Sequence, residues 1–521
     1  MIVSKAIPFE ATHKFSKIFI DYINEIPELV EFYNRYPTIP NFKAQLEAKK
    51  FSPKNREILK IVFKKQYEGF AKSEIIKQTI DSIQNANTFT VTTGHQLCLF
   101  TGPLYFIYKM ITAIELANEL KANFPDYNFV PIYWMASEDH DFEEINHFTV
   151  FGKKYEWQTE QKGAVGTFAT NELNELVDSL PIEIRILFEN IYLKHQNLAE
   201  ATRYLVHALF PESGLLILDG NDSTLKSIIK NVIINELTSN EIFETVQSST
   251  QKLENAGYSS QVYAREINLF YLDKGIRERI VKEGNVYKVL NTNLSFTTTE
   301  IIALANSNPE KFSPNVVLRP LYQEMVLPNL AYIGGPGELA YWLQLKQMFA
   351  NQNIEFPILV PRNFALVATQ SQITKLDKAG LPIDSLFLDE PELKKFYIEA
   401  KQIAHWDENS YKTEIDKIFD AIKTEAMQVD KSLEGFVESQ RNEGLKIIDV
   451  IAKKIRKTAE LKESEGINQI LNIKSKLFPS AGLQERTDNY LNFQINNPDF
   501  IAELIPLFQP LKFEFNIIVQ D

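Results

Sequence analysis

The chain carries a single cysteine, Cys98, among 521 residues. One thiol excludes an intramolecular disulfide and any zinc site built from cysteines, and it suits a reducing compartment. Long apolar runs are also missing. No stretch approaches the roughly 18 residues of a membrane-spanning helix, and the opening Met1-Ile-Val-Ser-Lys-Ala-Ile-Pro8 lacks the apolar segment of a secretion signal. A cytoplasmic protein with no membrane partner is expected. Basic residues are in deficit: 55 Lys and Arg stand against 68 Asp and Glu, a net charge of -13. Broad nucleic-acid binding needs clustered cations, so no such partner is expected, while a local basic pocket fits the balance. Neither G-x-G-x-x-G nor G-x-x-x-x-G-K-[ST] occurs, which removes the standard dinucleotide and P-loop sites, and H-E-x-x-H is absent too.

What is present is an ordinary globular composition, 44% hydrophobic and 24% charged, on a chain long enough for more than one domain. Two polar runs organise it, Thr93-Gly94-His95-Gln96 and Glu138-Asp139-His140-Asp141. Short apolar, β-branched stretches precede them, Thr88 to Thr93 and Phe129 to Met135, each of a length that suits a buried strand. Between them, apolar residues recur at three- and four-residue spacing from Pro103 to Phe124, which predicts a helix. A strand, helix, strand unit makes its strands parallel, and parallel sheets bind ligands outside the carboxyl ends of their strands. Both polar runs would face that crevice. Gly94 and Gly102 would let a ligand approach the backbone, although a tight turn and a capped helix explain them equally.

Taken in order, residues 1-84 read as the N-terminal helical part of the core, and the lone His13 as a surface or capping group. The first half of the core spans 85-240 with an insertion at 152-210. It includes a third expected strand, Leu215 to Asp219, whose Asp219 is either a ligand contact or the start of an Asp-Gly turn. A connecting subdomain follows at 241-315, with strand-like pieces at Asn268 to Leu272 and Val286 to Leu290. The second half of the core, 316-400, holds a strand, glycine-rich turn and helix across Ala331-Tyr-Ile-Gly334-Gly335-Pro-Gly337-Glu338-Leu-Ala-Tyr341-Trp342. Arg319 and Arg362 are placed at strand ends, where they would grip a carboxylate or phosphate. From 401 to 475 the periodicity becomes a heptad seam through Ile415, Phe419, Ile422, Ala426, Val429, Leu433 and Phe436, with polar Gln440 and Glu443 further along. One helix from Tyr411 to Lys457 would run about 70 Å and must pair, within the chain or with a second subunit. Residues 476-521 return to the core.

The crevice therefore gathers His95, Gln96, Glu138, Asp139, His140, Asp141, Arg319 and Arg362, a set suited to binding an anion and moving a proton through a histidine oriented by a carboxylate. Adjacent residues on one strand end do not converge on a single ion, so no metal is assigned. Ser137 and Cys98 lie near the motifs but in no recognised nucleophile elbow. Cys98, between Leu97 and Leu99, reads as a small buried hydrophobe.

These motifs, with Phe100-Thr101-Gly102-Pro103-Leu104-Tyr105, Tyr108-Lys109, Arg319-Pro320, Pro361-Arg362-Asn363, Leu477-Phe-Pro479 and Gly482-Leu-Gln-Glu-Arg486, resemble the bacillithiol biosynthesis cysteine-adding enzyme family. The matches run in order along nearly the whole chain. The resemblance implies an α/β protein with a Rossmann-like parallel-sheet core, connecting subdomains and a long helical coiled-coil arm that makes a homodimer. It implies the last step of bacillithiol biosynthesis, the joining of cysteine to glucosaminyl-malate. Activation of a carboxylate, with ATP the cofactor it suggests, would accompany that step without a nucleotide site being placed. On this reading His140, Asp139, Asp141 and Glu138 are catalytic. Gly94, His95, Gln96, Thr101, Gly102, Lys109, Arg319, Gly334, Gly335, Gly337, Glu338, Tyr341, Arg362 and Asn363 bind substrate. The family commonly has Gln at the position of His95, so His95 is kept as a hydrogen-bonding candidate. Two other readings are a nucleotide-dependent acyl or nucleotidyl transferase on the same core and a non-catalytic dimeric scaffold.

Overall fold

The computed structural model describes residues 1-70, 73-402 and 407-520. They fall into two compact units, Met1–Leu366 with Gly482–Ile517, and Val367–Ala481 with Ile518–Asp521.

In the first unit the expected strand before the first polar run is β1 (Thr88–His95), buried along its whole length. Such a strand has no wet face for its threonines, so their hydroxyls must find partners. Thr90 and Thr92 donate to Asn329 Oδ1 at 3.1 and 2.8 Å, and Thr93 donates to Ile333 O at 3.0 Å. The crossover helix is α1 (Tyr105–Asn123) and the next strand β2 (Asn128–Met135), as the periodicity predicts. The third strand is β3 (Leu216–Asp219).

The connecting segment folds as an antiparallel sheet of β4 (Leu269–Asp273), β5 (Ile276–Glu283), β6 (Val286–Val289), β7 (Ser295–Thr297) and β8 (Phe312–Pro314), in the order β7-β6-β5-β4-β8. The chain then enters α2 (Arg319–Val326), β9 (Asn329–Gly334), α3 (Pro336–Trp342) and β10 (Ile358–Pro361). The main sheet runs β10-β9-β1-β2-β3 with every pair parallel. Val91, Leu116, Ile333, Ile358 and Val360 are fully buried in one cluster between this sheet and α1. Each such side chain contributes roughly 1.5–3 kcal/mol on leaving water.

Arg319 does not end a strand: it is the first residue of α2. Asn315 starts that helix early, because its side-chain oxygen accepts the Val317 and Leu318 N–H groups at 2.9 and 3.1 Å, and Pro320 suits the first turn. Arg362 does follow its strand, β10, by one residue.

The second unit carries the seam, but not on one 70 Å helix. The chain breaks into α4 (Glu408–Val429) and α5 (Glu434–Lys462). Asp430 is extended and its carboxylate accepts the Ser432 N–H at 2.8 Å, a local turn that competes with helix. The two helices then fold back antiparallel, with Lys423 bonded to Glu434 at 2.7 Å near the turn and Lys412 to Asp449 at 2.5 Å further out. Gly444 leaves room for Phe419 and Ile415, since a Cβ there would sit 3.3 Å from the Phe419 ring. The Ile415 and Phe419 part of the seam therefore packs on a partner helix in the same chain, while Ile422, Val429 and Phe436 stay exposed. Gln440 and Glu443 are exposed.

Candidate functional site

The carboxyl ends of the parallel strands and one wall of the antiparallel sheet enclose a cavity of ≈ 840 Å³. It holds both polar runs. From the expected set it is lined by Gly94, His95, Gln96, Lys109, Glu138, Asp139, His140, Asp141, Arg319, Gly335, Gly337, Glu338, Tyr341 and Arg362. Thr101, Gly102, Gly334 and Asn363 do not line it, and each has a structural explanation. Phe100, Thr101 and Gly102 all have positive φ, in a turn where a Gly102 Cβ would meet Cys98 Cβ at 2.6 Å. Asn489 Nδ2 holds that turn, donating to Phe100 O at 2.8 Å and Gly102 O at 2.6 Å. Asn363 donates to Gln509 O at 3.1 Å and meets Thr112 Oγ1. Gly334 sits where a Cβ would strike Leu339 at 2.9 Å.

The inner floor is an ionic knot. Lys109, buried on α1, pairs with Glu338 Oε2 at 2.5 Å and donates to Gly94 O at 2.7 Å. Glu338 also accepts the Tyr332 hydroxyl at 2.7 Å and the Gly335 N–H at 2.9 Å. Burial opposes ionisation of both partners. It lowers Lys109 from its ordinary value, while for Glu338 burial is outweighed by the Lys109 ammonium together with the hydrogen bonds from Gly335 and Tyr332, which hold the carboxyl below the usual range. Glu338 thus serves the floor more than the helix dipole.

Two guanidiniums stand beside it. Arg319 donates to Gln323 Oε1 at 2.9 Å and to the Tyr341 hydroxyl at 3.2 Å. Arg362 donates to Glu485 Oε1 at 2.6 Å and to Asn363 O at 3.0 Å, and its guanidinium lies 4.0 Å from the Phe364 ring centroid. The Arg362 Nε makes no hydrogen bond among the described residues. Tyr105 lies between Arg362 and Arg486, with the guanidiniums 5.3 and 5.8 Å from its ring centroid.

His95 is buried against Tyr105 and Phe106, its Nδ1 3.0 Å from Gln96 O. Burial, then the Lys109 charge, pulls the imidazole down to about 3, so it is neutral at working pH and donates through Nδ1. Cys98 lies 3.7 Å from that ring, and burial pushes its thiol up to about 12, which leaves it an inert hydrophobe.

The acidic run divides by role. Glu138 pairs with the fully buried Lys226, which also donates to Phe312 O at 2.6 Å. Asp139 accepts the His140 backbone N–H and Gln96 Nε2, both at 2.8 Å. Burial works against its ionisation, but the Arg277 charge, Gln96 and the His140 backbone N–H hold its carboxyl below the usual range. His140 and Asp141 are exposed, and the Asp141 carboxylate has no partner among the described residues. Ser137 donates to Asp219, which also accepts the Asn221 N–H at 2.8 Å, so Asp219 forms the turn and stays outside the cavity.

The opposite wall escaped the sequence reading. Arg265, Arg277 and Arg279, with Tyr263 and Phe270, come from the antiparallel sheet and its approach. Arg277 and Arg279 are two apart on β5 and share a face, the one signal that marks them. Arg277 Nη1 lies 2.6 Å from His140 Nδ1, whereas the nearest Asp139 oxygen is 3.5 Å from the same nitrogen. The partner that orients His140 is an arginine.

Together, a doubly covered parallel sheet and a mixed-charge cavity at its carboxyl edge define an α/β enzyme of Rossmann-like architecture. Residues 2–363 match the family model described as bacillithiol biosynthesis BshC, N-terminal Rossmann-like domain, and residues 365–520 match the C-terminal coiled-coil domain of the same family. A relative from Flavobacterium psychrophilum named "Putative cysteine ligase BshC" is 44% identical over 98% of both chains. Relatives of the same name from Flavobacterium johnsoniae and Cytophaga hutchinsonii are each 41% identical, over 98% of this chain and 99% and 98% of theirs. The chain belongs to the bacillithiol biosynthesis BshC family, and with it to the carbon–nitrogen bond-forming ligases.

Proposed function

We propose that the chain joins cysteine to glucosaminyl-malate in the last step of bacillithiol biosynthesis. An amide forms between the cysteine carboxyl carbon and the sugar amine nitrogen; one carboxyl oxygen and two amine protons must leave. The oxygen departs only from an activated carboxylate, and ATP is the activating class that accompanies this reading. What carries the proposal is the division of the cavity. Cations line its floor and far wall, and a carboxylate and histidine run lies along the second strand end.

Arg319 and Arg362, backed by Lys109, take the anionic groups of the substrates, with Arg265 and Arg279 further out. Gly335 and Gly337 let those groups approach the backbone, and Tyr341 steadies Arg319. Glu138, Asp139, His140 and Asp141 form the catalytic edge, with His140 and Asp141 reaching the open part of the cavity. The volume lies within the roughly 300–1,000 Å³ of small-molecule sites. We place the reaction in the cytoplasm. The arm makes a homodimer on this reading, supported by apolar side chains that the hairpin leaves in water: Val429, Phe436, Val450 and Leu461 are 83, 64, 68 and 69% exposed.

Calorimetric titration of the purified protein with glucosaminyl-malate tests the placement. Binding by the wild type that is lost in Arg319→Ala supports it; no binding at millimolar ligand favours a transferase acting on another substrate.

A further inference from the structure

We infer that Arg277 is a positioning residue that fixes the tautomer of His140, leaving this imidazole a hydrogen-bond donor through Nε2. The argument begins with hydrogen counting. A guanidinium carries donors only, so an Arg277 Nη1 at 2.6 Å requires a lone pair on His140 Nδ1. The ring proton then sits on Nε2, because a ring with both nitrogens protonated would turn an N–H against the guanidinium. Asp139 asks for the opposite tautomer, but its Oδ1 is 3.5 Å from Nδ1 and already accepts the His140 backbone N–H at 2.8 Å. The shorter contact decides.

Arg277 is built to keep that contact. It is buried, its Nε donates to Ser313 Oγ at 3.2 Å, and its guanidinium lies 4.1 Å from the Phe270 ring centroid. Phe270 in turn packs on the His140 ring at 5.4 Å. Neighbouring strands β4 and β8 thus hold the arginine before any ligand arrives. Its charge also lies near Asp139 and, with the Gln96 amide and the His140 backbone N–H, favours the carboxylate there.

The consequence for the reaction rests on the proposed ligase function. A histidine held with its proton on Nε2 donates a hydrogen bond to an oxygen that gains negative charge; it does not take a proton from an ammonium in this state. Proton acceptance then falls to Asp141, whose carboxylate is exposed and unpartnered among the described residues.

The test is nitrogen NMR on the full chain labelled with [15N]histidine, at pH 8, with His140→Gln identifying the signal among seven histidines. An unprotonated Nδ1 and a protonated Nε2 at His140 are expected. Arg277→Lys retains a donor and should retain this pattern, whereas Arg277→Met should move population toward the Nδ1 proton, directed at Asp139. A protonated Nδ1 in the wild type overturns the inference, as does an unchanged pattern in a folded Arg277→Met protein. If Arg277→Met does not fold, the wild-type spectrum alone decides. Product formation is followed in parallel: its absence from the wild type sinks the ligase reading and leaves the tautomer result standing.

Discussion

Lys109 Nζ lies 2.5 Å from Glu338 Oε2 and 2.7 Å from Gly94 O, so one buried ammonium ties α1, β1 and the turn before α3 into a single floor. Removing one partner of such a pair leaves an uncompensated charge, at a cost of about 3 kcal/mol, the low end of the range because Glu338 keeps 26% of its side-chain surface. Lys109→Met should therefore lower the urea midpoint. Lys109→Met with Glu338→Leu should recover part of the loss, and equal destabilisation by single and double variants would refute a coupled pair.

Gly94 marks how closely the floor is packed. A Cβ there would lie 3.2 Å from the Tyr332 hydroxyl and 3.4 Å from Arg319 Nη1. Gly94→Ala should displace the Arg319 guanidinium, weakening glucosaminyl-malate binding about tenfold, or ~1.4 kcal/mol, with little change in thermal midpoint. Calorimetry beside a melting curve separates the two effects.

Arg362 and Glu485 form a pair whose side chains are 2 and 0% exposed. Glu485→Ala strands the guanidinium and should cost roughly 3–5 kcal/mol, read from urea unfolding. A loss below 1 kcal/mol would mean that Arg362 is solvated or otherwise paired.

Glu236 supplies a pH signature away from the cavity. Burial pushes its carboxyl from 4.5 up to about 7, against hydrogen bonds from the Asn268 backbone N–H and side chain at 2.5 and 2.8 Å. The folded value lies above the unfolded one, so the contribution to stability is complete below pH 4.5 and is lost as pH rises through about 7. At pH 8 the shift corresponds to about 3 kcal/mol of instability. Glu236→Gln keeps the acceptor oxygen without the charge, so it should stabilise at pH 8 and be near neutral at pH 4.5. Parallel unfolding curves at the two pH values check the sign.

The arm offers a test of assembly. Phe436→Asp with Val450→Asp adds charge to the apolar surface that the hairpin leaves exposed, and should convert a dimer to a monomer in light scattering while helicity is retained. A monomeric wild type at micromolar concentration contradicts the dimer directly.

The core was legible because its strands are short apolar runs that end in polar residues: Thr88–His95 and Asn128–Met135 stand where their patterns place them. Arg319 was misplaced because Val316-Val-Leu318 reads as a strand, while a side-chain cap from Asn315 starts a helix there instead. Asp430 breaks the heptad helix for a similar reason, a local turn that apolar periodicity does not register. Arg277 was missed altogether. It sits on an alternating strand far along the chain, and its meeting with His140 depends on how two sheets come together. Thr101 and Asn363 carry no cavity surface, since spacing does not distinguish a residue that holds a turn from one that meets a ligand.

The most direct measurement is mass spectrometry of a reaction holding the purified chain, cysteine, glucosaminyl-malate and ATP. The account predicts a product heavier than glucosaminyl-malate by one cysteine residue, formed by the wild type and lost with Arg319→Ala. No such product from a folded wild type that binds glucosaminyl-malate would contradict it.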